Sequence, residues 1–216
     1  MIAFPQKLQK GDKIRIIAPS GLFVQDIFDK SIKIISENGF TPLYEKEVFS
    51  RHRYLAGDDN RRKQELIDAL AETDTKAIWA ARGGYGLGRF IDTIDNDLLL
   101  NCDKWLIGFS DITALHMRMM NNKKSSFHSC NITNLSTWQE ESLTEMFELI
   151  TSGTSQTFAG ETVSAGSGTV TAPLFGGNIA VLASLCGTCA QPAFGKSIVL
   201  LEETGEQPYR IDRSLA

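Results

Sequence analysis

A serine at the end of a buried strand is the residue of this sequence best placed to do chemistry. Segment 105–113 reads WLIGFSDIT, in which an apolar run ends at Gly108 and Ser110 stands where the chain must turn into a helix. A hydroxyl there projects above the sheet edge, and the amides that follow it can stabilise an oxyanion. This is the logic of a nucleophile elbow, although G-x-S-x-G is not matched, because Ile112 occupies the last position. The alternative, that Ser110 or Asp111 merely caps the helix, fits the pattern equally well.

A glycine-rich turn is the second feature that can serve chemistry. Segment 81–89 reads ARGGYGLGR and carries four glycines, which let a backbone approach a ligand closely. It matches neither G-x-G-x-x-G nor the P-loop, although a phosphate cradle remains open. A tight turn without further role is a second alternative. We favour a third, in which the amide of Gly84 points toward Ser110 as an oxyanion donor.

A serine nucleophile needs a general base, usually a histidine that a carboxylate orients. The sequence has three histidines. His116 lies six residues beyond Ser110 and is expected to point away from the strand ends, whereas His52 lies in a charged loop and is expected to be solvated. His128 follows a short run that can form the next strand, so it can line the pocket or act as the base. Glu202 ends an apolar strand and can orient a histidine, with a salt bridge or a helix cap as the alternative.

The elements that must position these residues alternate between strands and helices. Apolar runs predict strands at 13–19, 41–44, 76–81 and 104–109, and helical spacing predicts helices at 24–38, after Asp58 and Asp59, at 90–94 and at 111–121. Such alternation predicts an α/β fold, a doubly wound and mostly parallel sheet with flanking helices, over residues 1–150.

The composition changes after residue 150. Residues 151–172 are rich in Ser, Thr and Gly and predict a linker, with a slight preference for a strand at 169–172. Residues 173–216 then predict a helix at 179–185, a strand at 197–201 and the start of another helix. This pattern is typical of the beginning of a smaller, incomplete C-terminal domain, so we expect a homo-oligomer in which a partner chain completes the packing.

Composition and charge exclude several other classes of protein. The net charge is −4 over 216 residues and the basic residues are scattered, which disfavours nucleic acid as a partner. No apolar run reaches the length of a membrane span or signal peptide, so we expect no membrane contact and a cytoplasmic location. Cys186 and Cys189 form one C-x-x-C without a second pair, at a predicted helix end and not at a helix start, so we expect neither a metal site nor a redox role.

Several motifs in order resemble those of the serine LD-carboxypeptidases, the muramoyltetrapeptide carboxypeptidase family. The resemblance covers nearly the whole chain. It is carried by Gly11-Asp12, Ile17-Ala18-Pro19-Ser20-Gly21, Arg82-Gly83-Gly84-Tyr85-Gly86, Gly108-Phe109-Ser110-Asp111-Ile112-Thr113, Phe175-Gly176-Gly177-Asn178, Leu200-Leu201-Glu202 and Pro208-Tyr209-Arg210-Ile211-Asp212-Arg213.

The resemblance implies a role for each matching residue. Ser110 would be the nucleophile, Glu202 rather than Glu203 the carboxylate of a Ser-His-Glu triad, and the amides of Gly84 and Asp111 the oxyanion hole. Gly83 and His128 would line the substrate pocket. The implied reaction is hydrolysis of the amide between an L-centre and a terminal D-amino acid, notably D-alanine of a murein tetrapeptide.

Two departures from the family pattern qualify this expectation. The chain reads His128-Ser129-Cys130 where the family has His-Gly-Pro, and the family's catalytic histidine lies beyond the last matching motif. We therefore expect a truncated chain with impaired activity. The alternative from another class is a non-catalytic ligand-binding or assembly protein that keeps the pocket without the chemistry.

Overall fold

Seven strands form two parallel sheets in the part of the chain that the structure describes. The structure, a computed structural model, describes residues 2–153, 157, 159–161, 166 and 168–216. The strands are β1 (Lys13–Ile17), β2 (Thr41–Leu43), β3 (Ala77–Ala80), β4 (Trp105–Gly108), β5 (Phe127–His128), β6 (Leu174–Asn178) and β7 (Ile198–Glu202). The larger sheet has the order β2-β1-β3-β4-β5, and β6 pairs with β7. All these pairings are parallel, which confirms the predicted sheet.

Helices fill the connections between the strands. They are α1 (Gln25–Glu37), α2 (Asp59–Ala71), α3 (Asn96–Asn101), α4 (Thr113–Asn121), α5 (Ile132–Leu135), α6 (Glu140–Ser152), α7 (Ile179–Ser184) and α8 (Pro208–Leu215). Local chemistry sets their ends: the carboxylate of Asp58 accepts from the amide of Arg61 at 2.8 Å and caps α2. Gly39, at φ 88°, follows α1 in the left-handed conformation that ends many helices. No helix in the described part of the chain is long and apolar enough to cross a membrane.

The larger sheet is buried on both faces because its strands carry apolar residues in succession. Ile17 and Ile78 face one core, which α2, α4 and α7 cover. Ile16 and Trp79, their neighbours in sequence, face the other core, which α1, α5 and α6 cover. This alternation follows from the period of two along a strand and confirms the doubly wound architecture.

The C-terminal unit packs directly on the first unit. Leu182 and Leu185, from α7 and the turn after it, belong to the same apolar cluster as Leu115 of α4. The amide of Asn178 donates to Oγ1 of Thr113 at 3.1 Å. The division of the chain at 151–172 stays a prediction, and much of that linker (154–156, 158, 162–165 and 167) lies outside the described residues.

The strand preferred at 169–172 is a wrong prediction, since these residues have no regular structure and β6 begins at Leu174. The middle of β6 is a pair of glycines, and a side chain on Gly176 would run into the carbonyl of Leu200 on β7. Glycine is therefore required there by the close approach of the two strands, at φ 139°.

Candidate active site

The predicted site residues collect at the carboxyl edge of the larger sheet. The turn of Ser20 and Gly21 follows β1, the glycine turn follows β3, and Ser110 follows β4. His128 ends β5 and lies opposite Gly108 in the strand register. Since β1, β3, β4 and β5 are neighbours and parallel, their following loops meet at one edge, where open α/β sheets bind ligands.

Ser110 has a strained backbone. Its φ is +64°, in the left-handed region that residues other than glycine seldom occupy. The residue before it is extended, and Ser110 then begins a 3₁₀ turn, Ser110–Ile112, that leads into α4. This is the strand–turn–helix geometry of a nucleophile elbow. Neither the turn nor α4 has a side-chain capping bond at its start, so the capping alternative for Ser110 and Asp111 is wrong.

The glycine turn lies against Ser110, as expected. A Cβ built on Gly83 would lie 2.8 Å from Cβ of Ser110 and 3.1 Å from its Oγ, so only glycine fits at this distance. The carbonyl of Gly83 accepts from the amide of Gly21 at 3.0 Å. Gly84 follows at φ 106° and is exposed. The structure therefore brings the turn and the serine together, and the donor role of the Gly84 amide stays a prediction.

Asn131 also supports the elbow, and the sequence pattern did not predict this role. Its side chain is buried, and its Oδ1 accepts from the amide of Phe109 at 3.2 Å. Its Nδ2 would lie 3.2 Å from a Cβ on Gly83, so the amide group fills the space between the elbow and the glycine turn. The available signal was its place, three residues beyond His128 at the end of β5.

His128 and Glu202 face each other across the site. Nε2 of His128 lies 4.0 Å from Oε1 of Glu202, and neither atom has a hydrogen-bond partner or contact with solvent. Burial lowers the pKa of His128 and raises the pKa of Glu202, so burial favours the neutral form of both groups. Glu203 is engaged elsewhere: its carboxylate accepts from Nδ2 of Asn178 at 3.1 Å and from the amide of Ala180 at 3.3 Å.

The two other histidines are not placed to serve Ser110. His52 is exposed and pairs through its backbone with Leu55. His116 is buried, with Nε2 2.8 Å from the carbonyl oxygen of Gly108 and Nδ1 2.8 Å from Oγ of Ser126. The expectation that His116 points away from the strand ends is wrong, since it contacts the last residue of β4. Both ring nitrogens of His116 therefore have hydrogen-bond partners, and the imidazole stabilises the end of β4.

The buried His116 predicts an acid sensitivity of the fold. Burial lowers its pKa from 6.5 to about 4, so the folded protein keeps the ring neutral where the unfolded chain already binds a proton. The contribution of the neutral His116 to the free energy of unfolding is therefore complete above pH 6.5 and falls as the pH drops toward 4. We expect wild type to lose about 3 kcal/mol relative to His116→Gln over this window, measured by urea unfolding. Parallel stability curves for the two proteins would refute the assignment.

The described residues contain no group of three His, Cys, Asp or Glu that could hold a metal ion. The site is instead a hydroxyl on a strained turn, a glycine backbone packed against it, and an imidazole and a carboxyl group nearby. This arrangement combines a parallel α/β sheet with the strand–turn–helix geometry of a nucleophile elbow.

Comparison with known proteins gives the family. The sequence profile of the LD-carboxypeptidase N-terminal domain matches residues 14–129, and that of the C-terminal domain matches residues 171–216. The chain therefore belongs to the LD-carboxypeptidase family, which confirms the resemblance drawn from its motifs. The murein tetrapeptide carboxypeptidase of Pseudomonas aeruginosa is 30% identical over 214 residues, which cover 94% of this chain and 70% of that protein.

Solved structures share the fold. The muramoyltetrapeptide carboxypeptidase from Oxalobacter formigenes superposes with a TM-score of 0.78 at 28% identity, covering 94% of this chain and 69% of that one. An MccF-like protein from Bacillus anthracis gives a TM-score of 0.85 at 24% identity, covering 99% of this chain and 74% of that one. The second likeness speaks for the fold alone.

Proposed function

We propose that this protein is a serine peptidase-type hydrolase that cleaves the amide between an L-centre and a terminal D-amino acid of murein peptides. The observation that carries the proposal is Ser110 held at φ +64° with Gly83 packed against its hydroxyl. Backbone strain of this kind persists where the surrounding structure enforces it, and it concentrates at catalytic turns. The names of the Pseudomonas and Oxalobacter relatives supply the substrate class.

The proposed reaction assigns each group one task. Oγ of Ser110 attacks the scissile carbonyl as a histidine removes its proton, and the amides of Gly84 and Asp111 donate to the oxyanion. The histidine then gives its proton to the leaving amine, so the D-amino acid departs and an acyl-enzyme remains. Water hydrolyses the acyl-enzyme and restores Ser110. Glu202 orients the histidine, Gly83 and His128 line the pocket, and no cofactor takes part.

In this proposal the three histidines of the 216 residues do not supply the general base. His52 is exposed, and both nitrogens of His116 are occupied. His128 faces Glu202, and we assign it to the pocket wall. We therefore propose that these 216 residues, assayed alone, lack the triad histidine and turn over slowly.

Release of D-alanine from a murein tetrapeptide, followed by mass spectrometry, tests this proposal. Loss of a triad base lowers kcat by several powers of ten, so we expect a rate at least about a thousandfold below a typical kcat of about 10 s⁻¹. A rate near that typical value would contradict the impairment. It would also make His128 the base, in which case His128→Gln would abolish the turnover.

A non-catalytic ligand-binding or assembly protein is the second candidate. One observation favours it: the apolar side chains of β7 stay 39–43% exposed, which is typical of surfaces that meet a partner (Ile198, Val199, Leu200 and Leu201). Binding of a D-alanine-ended peptide without any turnover or labelling of Ser110 would support this candidate. A homo-oligomer and a cytoplasmic location stay predictions.

A further inference from the structure

The side chain of Asp111 is a buried acid that the proposed chemistry leaves without a task. Only its backbone amide is assigned a role, whereas the residue as a whole is 3% exposed. Burial of a carboxylate costs free energy that only good hydrogen bonds offset. The burial of this carboxylate directly after Ser110 therefore needs an explanation in terms of its hydrogen-bond partners.

The carboxylate of Asp111 joins two loops that are remote in sequence. Its Oδ2 accepts from Oγ of Ser20 at 2.6 Å and from the amide of Leu87 at 2.9 Å. Ser20 belongs to the turn after β1, and Leu87 lies in the glycine turn after β3. Asp111 itself belongs to the elbow after β4, so one carboxylate connects the three loops at the site.

The hydrogen-bond partners of this group fit a role as an acceptor. Burial raises the pKa of Asp111 above its usual range, and the hydrogen bonds from Ser20 and Leu87 and the charge of Arg62 offset only part of this rise. Arg62 is itself buried and donates to the carbonyl of Pro19 at 2.6 Å, so it holds the same turn from the other side. The short bond from Ser20 lies in the range of a charge-assisted hydrogen bond to a carboxylate.

The joined loops are those that the oxyanion site needs. The glycine turn contacts the β1 turn through the bond from the Gly21 amide to the Gly83 carbonyl, 3.0 Å long. Gly83 also packs on Ser110, and the exposed Gly84 follows it. A shift of the turn around Leu87 would therefore move the Gly84 amide relative to the hydroxyl of Ser110.

We propose that the Asp111 carboxylate is a positioning residue that ties the β1 turn and the glycine turn to the elbow, so that the amides of Gly84 and Asp111 serve one reacting carbonyl. The inference rests on the proposed function, since it concerns the oxyanion site of that reaction. One residue then supplies a donor through its backbone and fixes the loop of the other donor through its side chain.

Three variants and one control test the proposal. Asp111→Ala removes the acceptor, Asp111→Asn keeps an acceptor oxygen without the charge, and Ser20→Ala removes one donor. Ser31→Ala is the matched control for Ser20→Ala, because both serines are fully buried. The hydroxyl of Ser31 donates within α1 to the carbonyl of Ile27 at 3.0 Å, away from the site.

The first readout is hydrogen exchange of the Leu87 amide by NMR, which needs no turnover. Loss of its acceptor is expected to speed this exchange by about tenfold or more in Asp111→Ala, because exchange reports local opening. Asp111→Asn is expected to rescue most of the protection, since its amide oxygen can accept the same bond. Ser31→Ala is expected to leave the exchange of Leu87 unchanged.

The second readout is the rate at which a fluorophosphonate labels Ser110, together with kcat and KM for D-alanine release where turnover is measurable. A displacement of about 1 Å can cost about a hundredfold in rate, so we expect a loss of that order in Asp111→Ala. The loss is expected in kcat rather than in KM. We expect kcat to fall about tenfold in Ser20→Ala and to stay unchanged in Ser31→Ala.

The outcomes separate the two proposals. If Asp111→Ala keeps both the Leu87 exchange rate and the labelling rate, the carboxylate is only a structural acid and the inference is wrong. If Asp111→Ala does not fold, Asp111→Asn and Ser20→Ala decide by the same two readouts. If wild type is neither labelled nor active, the proposed function fails, while the exchange of Leu87 still shows whether Asp111 ties the loops.

Discussion

Replacement of Ser110 by alanine is expected to abolish labelling by a fluorophosphonate and to lower D-alanine release to the background rate. Removal of the hydroxyl leaves no nucleophile at this position to attack the phosphonate, so the loss of labelling is complete. The further loss of D-alanine release is expected to be small if wild type already lacks its base, because the members of a triad act as a unit. The measurement is mass spectrometry of the intact protein after prolonged labelling, beside a release assay with the murein tetrapeptide.

The strained backbone at Ser110 provides the control. Glycine tolerates φ +64° without the steric cost that any Cβ incurs there, so Ser110→Gly is expected to be more stable than Ser110→Ala by about 1 kcal/mol in urea unfolding. Both variants lack the hydroxyl, so both should be inactive. A labelled Ser110→Ala protein would place the reactive group elsewhere, and equal stabilities would show that the turn carries no strain.

The parallel sheet was predictable because its strands are short apolar runs closed by turn residues. The runs at β1, β3 and β4 end in Pro-Ser-Gly, Gly-Gly and Ser-Asp respectively, and the structure places strand ends within a few residues of these signals. The strand β6 was not predictable in the same way. Its glycines disfavour a strand locally, and only the approach of Leu200 explains why they are required.

Helix α6 was not predicted, although its sequence carries the spacing of an amphipathic helix. Its buried residues Met146, Phe147 and Ile150 follow the spacing of one helix face, and Gly153 ends it at φ 69° in the left-handed conformation. This spacing is sufficient to predict a helix, although the adjoining Ser- and Gly-rich residues are typical of a linker.

The position of the site could be predicted from the sequence, because it lies at the ends of predicted strands. The side-chain contacts that connect its loops could not be predicted. Ser110 and the glycine turn meet because β3 and β4 are neighbours in a parallel sheet, which follows from the order of the elements. The side-chain contacts of Asp111 and Asn131 depend on rotamers and loop paths that no spacing reveals. The capping alternative for Asp111 could be rejected only once its carboxylate was seen to bond Ser20 and Leu87.

Replacement of Gly83 by alanine is expected to disturb the proposed reacting geometry directly, because the new methyl group would lie between the glycine turn and the elbow. The new Cβ would lie 2.8 Å from Cβ of Ser110, closer than real side chains approach. The elbow and the glycine turn must move apart, so the serine hydroxyl and the amide of Gly84 lose their alignment. A displacement near 1 Å predicts a fall of about a hundredfold in labelling of Ser110 and in D-alanine release.

Gly88→Ala is the matched control, because it adds the same methyl group to the same turn. A Cβ on Gly88 meets nothing within 4 Å, and the residue is exposed. We expect its labelling rate to equal that of wild type, while Gly83→Ala also loses about 1–3 kcal/mol from overpacking. Equal reactivity of the two variants would mean that the contact between Gly83 and Ser110 is not part of the reacting geometry. The glycine turn would then supply no oxyanion donor beside that of Asp111, and the two-amide oxyanion hole of the hydrolase proposal would be wrong.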